Sequence, residues 1–451
     1  VGENLVQARV DAIRRLTRRR ATTPLRRALA KSSAEDVGQA VGHLTWVDTR
    51  YLFDQLPLES AGAVLLVVDE DTFQHVVTAM PGPRLLEWLD CMEPDDVADL
   101  VARLPEELRA QALQRMEQEE RQDLEELLAY PVDTAGGIMS PVAFVLHEDT
   151  TCRDAIAALQ EAQDVEMVFY LYLLNDAGHL VGVTSLRQLL LNHPSTPLNQ
   201  TANPDVITVQ PSTDQEEVAR IAGRYDLLAV PVVDDTRKLL GIVTIDDVLD
   251  VVREEAAEDL LKMAGVGDEF DPHGSNTFRA ARQRLTWLMV TAVGGMALAE
   301  VIGRFDATLE ESAVLAGFIP VIMALGGGVG LQAATITVRN LATGHVSLAG
   351  GSFKLVFREV RVGLVMGLLL AAALAVFGWL RYANPALGIC VGISILSVVM
   401  CAAAVGTTVP LLLEKVGIDP AVATGPFVTI TIDTIAIVLY LTIATLALGW
   451  M

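Results

Sequence analysis

The carboxylate of Asp433 stands inside the apolar run from Phe427 to Leu448, which holds no other charged side chain. At that depth it costs roughly 2.5–3.5 kcal/mol on insertion scales, so such a group is usually kept to handle an ion. The alternative is a protonated or interhelically hydrogen-bonded Asp that only joins helices. A second feature is the sequence Gly326-Gly327-Gly328-Val329-Gly330 near the end of another apolar run, after Pro320. Glycines at membrane depth either let helices approach closely or let backbone carbonyls face a water-filled path. Beside Asp433 and the opening Gly425-Pro426-Phe427, a path lined by carbonyls and a carboxylate is the better reading. Gly326, Gly327, Gly328, Gly330, Pro426 and Asp419 are its lining and gate candidates. Lining by oxygen alone suits a hard cation such as Mg²⁺. No His or Cys accompanies it, which argues against a soft-metal site.

A second group of carboxylates lies upstream: Asp246, Asp247, Asp250, Glu254, Glu255, Glu258 and Asp259. Asp247, Asp250, Glu254 and Glu258 fall at helical spacing on one face, where like charges repel unless cations intervene. A merely solvated face is the alternative. Only Arg253 and Lys262 are interspersed to compensate, and Glu93, Asp95, Asp96 and Asp99 form a further acidic group. Residues 1–275 carry 49 acids against 23 bases, whereas residues 276–451 carry 8 against 10. The formal charge of −24 therefore belongs to the first half. So acidic a half excludes a nucleic-acid footprint and favours screening or binding of cations.

The elements that must position these groups differ along the chain. Residues 1–23 are an Arg-rich segment. From 24 to 130 the pattern is helical, and Leu56-Pro57-Leu58-Glu59 recurs as Leu104-Pro105-Glu106-Glu107, suggesting a small superhelical array. Residues 131–200 and 201–250 form two α/β copies offset by 59, with Leu180-Val181-Gly182-Val183-Thr184-Ser185 returning as Leu239-Leu240-Gly241-Ile242-Val243-Thr244. Residues 246–275 are the acidic helix and a linker. Residues 276–451 hold five apolar spans at about 285–303, 312–336, 360–380, 387–413 and 422–449, each near the ~20 residues that cross a bilayer. Arg339, Lys354, Arg358 and Arg361 place one loop, and with it the N-terminal half, in the cytoplasm, which leaves the C-terminus outside. Cys91, Cys152, Cys390 and Cys401 lack metal or disulfide spacing. No cleavable signal peptide is visible. No nucleophile–base constellation or phosphate-binding loop points to an enzyme.

The segment Gly241-Ile242-Val243-Thr244-Ile245-Asp246-Asp247 resembles a nucleotide-binding turn of the CBS type, with Ser185 and Gln188 at the matching positions of the first copy. Helical array, CBS pair, acidic helix and five spans, in that order, resemble the MgtE-type magnesium channel/transporter family. The specific likeness lies in Tyr130-Pro131-Val132-Asp133-Thr134-Ala135-Gly136-Gly137, Asp214-Gln215-Glu216-Glu217-Val218-Ala219-Arg220, Asp246-Asp247-Val248-Leu249-Asp250-Val251, and Gly425-Pro426-Phe427 through Asp433. That resemblance implies a homodimer in the cell (inner or plasma) membrane with a pore on its axis, built chiefly from spans two and five. Asp433 would hold a hydrated Mg²⁺, and the acidic helix would plug the pore when cytosolic Mg²⁺ is high. Sensing acids carried over by position are Glu59, Asp95, Glu216, Asp226, Asp247, Asp250, Glu255, Glu258 and Asp259. ATP is the implied regulatory ligand, with Arg187, Asp205 and Thr244 as its candidate contacts. Gly328 departs from the family's pattern, which has Asn there, and Cys91 stands where a further sensing acid is expected. The implied function is gradient-driven Mg²⁺ uptake. The rivals are a channel preferring Mn²⁺ or Co²⁺, and a membrane-anchored sensor.

Overall fold

The computed structural model describes residues 2–80, 82–92, 94–116, 118–141, 143–161, 169–266, 277–343 and 352–447. They divide into two compact units, one ending at Arg253 and one beginning at Glu254.

The first unit opens with ten short helices, from Gly2–Arg18 to Gln118–Leu127. Several of their starts are written in the sequence: the side chains of Ser33, Thr45 and Asp69 accept the backbone N–H groups of Asp36, Asp48 and Thr72, respectively. Pro57 and Pro105 open the two copies of the 48-residue repeat with the same backbone, φ −55° in both. Phe53, Phe73 and Trp88 are fully buried between the helices, and each such side chain contributes about 1.5–3 kcal/mol by leaving water.

Two small α/β copies follow. In the first, β1 (Val145–His147) pairs parallel with β2 (Tyr170–Leu174), which pairs antiparallel with β3 (Leu180–Ser185). In the second, β4 (Ala229–Val233) pairs antiparallel with β5 (Leu239–Thr244). Tyr170 faces Ser185 and Ala229 faces Thr244, so the sequence offset is also the offset of hydrogen-bond register. Even the irregularity repeats, between Leu173 and Leu174 and again between Val232 and Val233. Tyr172 and Leu180 of the first copy share a core with Ala229, Val233 and Ile242 of the second.

Beyond β5 the chain runs into the helix Ile245–Met263, whose residues from Glu254 onward belong to the second unit. Five further helices are long and apolar enough to cross a membrane: Arg284–Gly303, Ala313–Ala342, Ser352–Tyr382, Pro385–Val416 and Phe427–Ala447. They are spans one to five. Span three begins at Ser352 rather than near 360, because Lys354, Arg358, Glu359 and Arg361 are helical while lowering the local hydropathy. Long basic side chains at such an end carry their charge to the interface.

Span four packs against spans two, three and five, and span one against span five. Small residues make this closeness possible. A methyl group on Gly406 of span four would strike the carbonyl of Gly330 in span two, and one on Gly363 would lie 2.9 Å from Ala403 Cβ. Tyr440 Oη donates to the Leu315 carbonyl at 2.7 Å, and the Thr308 and Thr445 hydroxyls bond at 2.8 Å, tying span five to the entry of span two. Gly406→Ala should therefore lower stability by about 1–3 kcal/mol through overpacking. Gly328→Ala, whose methyl meets nothing within 4 Å, should not lower it and should raise it slightly, because alanine is the better helix former. Thermal unfolding in detergent checks the contrast; equal midpoints would contradict it.

Candidate functional site

Asp433 lies about a third of the way along span five, half-buried, and opposite the glycine-rich stretch of span two. A methyl group on Gly327 would sit 3.6 Å from Asp433 Oδ1, so the absent side chain leaves the carboxylate facing span-two backbone. Among the described residues Asp433 has no ion pair and no hydrogen bond through its carboxylate.

The glycines divide by role. Gly326 meets Val398, Ala436 and Ile432, and Gly330 meets Ile432 and Ala402, so both serve close packing. Gly327 faces Asp433, whereas Gly328 faces open space. Pro320, Ala324, Gly328, Gln332, Thr335 and Arg339 are all exposed and recur every three or four residues along span two. Most of these residues are small or polar, with Leu331 and Ile336 exposed beside them. Span one by contrast exposes Leu285, Leu288, Met289, Val293 and Met296, and span three exposes Val365, Leu369 and Leu380. Large apolar faces suit lipid, while a polar stripe at that depth suits protein or water.

A second assembly of charge forms at the end of the acidic helix. Lys262 Nζ donates to Asp419 Oδ2 at 2.7 Å and pairs with Glu258 one turn back. Asp419 Oδ1 accepts the backbone N–H of Ala421 at 2.7 Å, capping the short helix Pro420–Thr424 that leads to span five. The backbone of Lys262 and Met263 lies so close to Gly425 that a methyl there would stand 3.3 Å from the Met263 carbonyl. Burial pulls the Lys262 ammonium down, but its bonds to Asp419 and Glu258 outweigh this and hold its pKa above the ordinary value. Burial, then the Asp419 charge, pushes Asp259 up to about 6, against the opposing pull of Lys262.

The remaining sensing candidates are spread out. Glu59, Glu216, Asp226 and Asp250 are exposed, and among the described residues no three His, Cys, Asp or Glu side chains are grouped to hold a metal ion. Asp226 ends its helix in the left-handed conformation, φ 52°, which Asp tolerates better than most residues. Glu216 stands in the first turn of that helix, where the dipole favours an acid. Asp250 pairs with Arg253 at 3.0 Å, and Asp247 accepts the Thr244 N–H at 3.3 Å. Glu255 adds to the repulsion on Asp259. The side chains of Asp95 and Pro426, and the whole of Glu93, lie outside the described residues.

Between the α/β copies is a cavity of about 270 Å³, lined by Tyr170, Tyr172, Ser185, Gln188, Asn203 and Asp205 among others. The Tyr172 hydroxyl is buried without a hydrogen-bond partner among the described residues. Gln188 Oε1 is engaged at 3.2 Å by the Ser185 N–H in a capping box. Thr244 is not on this lining; its hydroxyl bonds Asp246 and Asp247 instead.

Comparison with known proteins accounts for this order of parts. The MgtE divalent cation transporter family matches residues 319–443, the MgtE intracellular N domain residues 32–133, and CBS domains residues 135–192 and 200–254. The magnesium transporter MgtE of Thermus thermophilus is 34% identical over 89% of this chain and 96% of its own length. The chain belongs to the MgtE family. The Bacillus subtilis magnesium transporter MgtE is 32% identical over 92% of this chain and 95% of its own. A solved structure, the cytosolic domain of the Mg²⁺ channel MgtE in complex with ATP, superposes with a TM-score of 0.51 at 32% identity, covering 54% of this chain and 99% of that one. This MgtE-family chain is thus a multipass membrane protein with a helical N domain and a CBS pair.

Two side chains of these candidate sites escape the reading of sequence. Lys262 stands 157 residues from Asp419, and a lone base in an acidic run looks like solubility. Tyr172 reads as a core aromatic. The Asp259 shift has a definite sign: its pKa is higher with the helix end seated than free, so the seated state holds the extra proton. Seating should tighten as pH falls from about 7.5 through 6, and the Asp259 charge opposes it above that. In metal-free protein, hydrogen exchange across residues 254–266, corrected for intrinsic rates, should slow over that range. Asp259→Asn should remove the trend; its persistence there would assign it to another group.

Proposed function

We propose that the chain is a homodimeric channel for Mg²⁺, driven by the electrochemical gradient without hydrolysis. One observation carries the reading: a half-buried carboxylate, without a partner among the described residues, faces backbone beside the open, largely small and polar stripe of span two. An oxygen-lined path suits a cation that dehydrates reluctantly and keeps several of its waters. The printed names of the relatives, magnesium transporters, support Mg²⁺ as the cargo. A stripe of small and polar residues unsuited to lipid supports a second copy across it, with Asp433 from each protomer bordering the path.

Closure follows from the charge balance. The acids of residues 246–264 repel one another, and Mg²⁺ held by them and by Glu59, Asp95, Glu216 and Asp226 would remove the repulsion and let the helix seat by Asp419. Moving an equilibrium from 1:99 to 99:1 needs roughly 5.5 kcal/mol of differential affinity. Several weak carboxylate sites supply that where one does not. The N-terminal domains are cytoplasmic in this reading, so cytosolic Mg²⁺ limits its own entry.

ATP is the proposed regulatory ligand of the CBS cavity. Tyr170 and Tyr172 offer ring faces, Asp205 an acceptor for ribose hydroxyls, and Ser185 a hydroxyl, with Arg187 adjacent in sequence for phosphate. Gln188 Oε1 is taken by its cap, so ribose recognition would fall to Asp205.

The permeation reading is tested with purified full-length protein in liposomes under a Mg²⁺ gradient and no nucleotide. Asp433→Asn should reduce Mg²⁺ entry to the level of empty liposomes while the protomers still assemble. Unchanged entry would favour the helix-joining alternative. Running the parent with Mn²⁺ and Co²⁺ in the same assay separates the Mg²⁺ channel from its nearest rival, to which the bare backbone of Gly328 bears most directly.

A further inference from the structure

Lys262 is a cation already in place where the acidic helix meets the entry of span five. Its side chain is only 14% exposed, and its ammonium bridges Glu258 on its own helix to Asp419 in the connection between spans four and five. Asp419 is engaged through both oxygens, one on Lys262 and one on the Ala421 N–H. The ammonium is therefore coupled through one carboxylate to the short helix Pro420–Thr424, which ends at Gly425. The Met263 and Lys262 carbonyls stand 3.3 and 3.5 Å from where a Cβ on Gly425 would be, so a larger residue there would displace the helix end. The carboxylates of Glu255, Glu258, Asp259 and Asp419 act on one another here; Lys262 pairs with Glu258 and Asp419, and its charge partly offsets the repulsion on Asp259.

We infer that Lys262 is a positioning residue for the permeation pathway, a resident cation that seats residues 254–266 against the entry of span five without bound metal. A metal ion arrives and leaves with its concentration, whereas the ammonium is covalently part of the helix. Its pair with Asp419 gives the seated state a fixed contribution, and Mg²⁺ adds to that contribution where cytosolic Mg²⁺ is high. Regulation by metal then works from a helix that is already held close, so the open state is reached by breaking a defined contact. The inference rests on the channel reading for its consequence, but not for the contact itself.

The test uses the full-length protein in liposomes, in chelator, with hydrogen exchange across residues 254–266 as the first readout. Lys262→Met should raise exchange there by about tenfold, the size of one charge-assisted hydrogen bond. Lys262→Arg should retain most of the protection. The charge swap Lys262→Asp with Asp419→Lys should restore it relative to Lys262→Asp alone, which loss of side-chain packing would not do. If Lys262→Met fails to fold, Asp419→Asn serves, because an amide oxygen still caps Ala421 while the ion pair is lost. The second readout is initial Mg²⁺ entry into liposomes free of internal Mg²⁺, which should rise in Lys262→Met and return in Lys262→Arg. Unchanged exchange in both Lys262→Met and Asp419→Asn would overturn the inference whatever the flux does. Raised exchange with unchanged entry would overturn Lys262's role in permeation, provided Asp433→Asn abolishes entry in the same preparation. If Asp433→Asn conducts, the channel reading fails, and the exchange result alone still decides the contact.

Discussion

A charged group away from water must find a partner, and among the described residues Asp433 has none. Span five offers no base, and span two places Gly327 opposite, where a methyl group would stand 3.6 Å from Asp433 Oδ1. Threonines that line span five, such as Thr429 and Thr434, bond back to their own helix rather than to Asp433. Such a site is costly unless something mobile supplies the opposite charge. Elsewhere in the second unit small residues bring spans two and four together, while Gly327 keeps a side chain away from the carboxylate.

The end of the acidic helix applies the opposite rule. Asp419, equally an acid near the spans, is fully engaged by an ammonium and a backbone N–H. One carboxylate is engaged by the protein, and in the proposed reading the other is left for cargo. Asp259 stands between the two cases. It is half-buried beside Asp419, close enough to Lys262 to be partly relieved, and its raised pKa records what remains uncompensated.

Much of this architecture is legible in the sequence, for definite reasons. Five runs near bilayer length have no other plausible home than a membrane, and the 59-residue offset between the α/β copies carries over into strand register and irregularity alike. Asp433 is conspicuous because its neighbours are uniformly apolar. The glycines of span two are visible as a group but not as individuals. Whether Gly326 packs on Val398 or Gly328 opens onto space depends on helix rotation, which a sequence of small residues does not encode locally. Lys262 is hidden for another reason, since its partner is distant in sequence and no periodicity connects them. Thr244 reads in sequence as a contact for a nucleotide phosphate, but its hydroxyl is spent on the acids that follow it.

The central claim is that the Asp433 charge is balanced by a divalent cation rather than by the protein. Infrared difference spectra of full-length protein in lipid, with and without Mg²⁺, report on it directly, with Asp433→Asn as the reference. The expected result is a Mg²⁺-dependent carboxylate band in the parent that is missing from Asp433→Asn. An identical difference spectrum in the two proteins would contradict the claim and leave Asp433 as a structural acid.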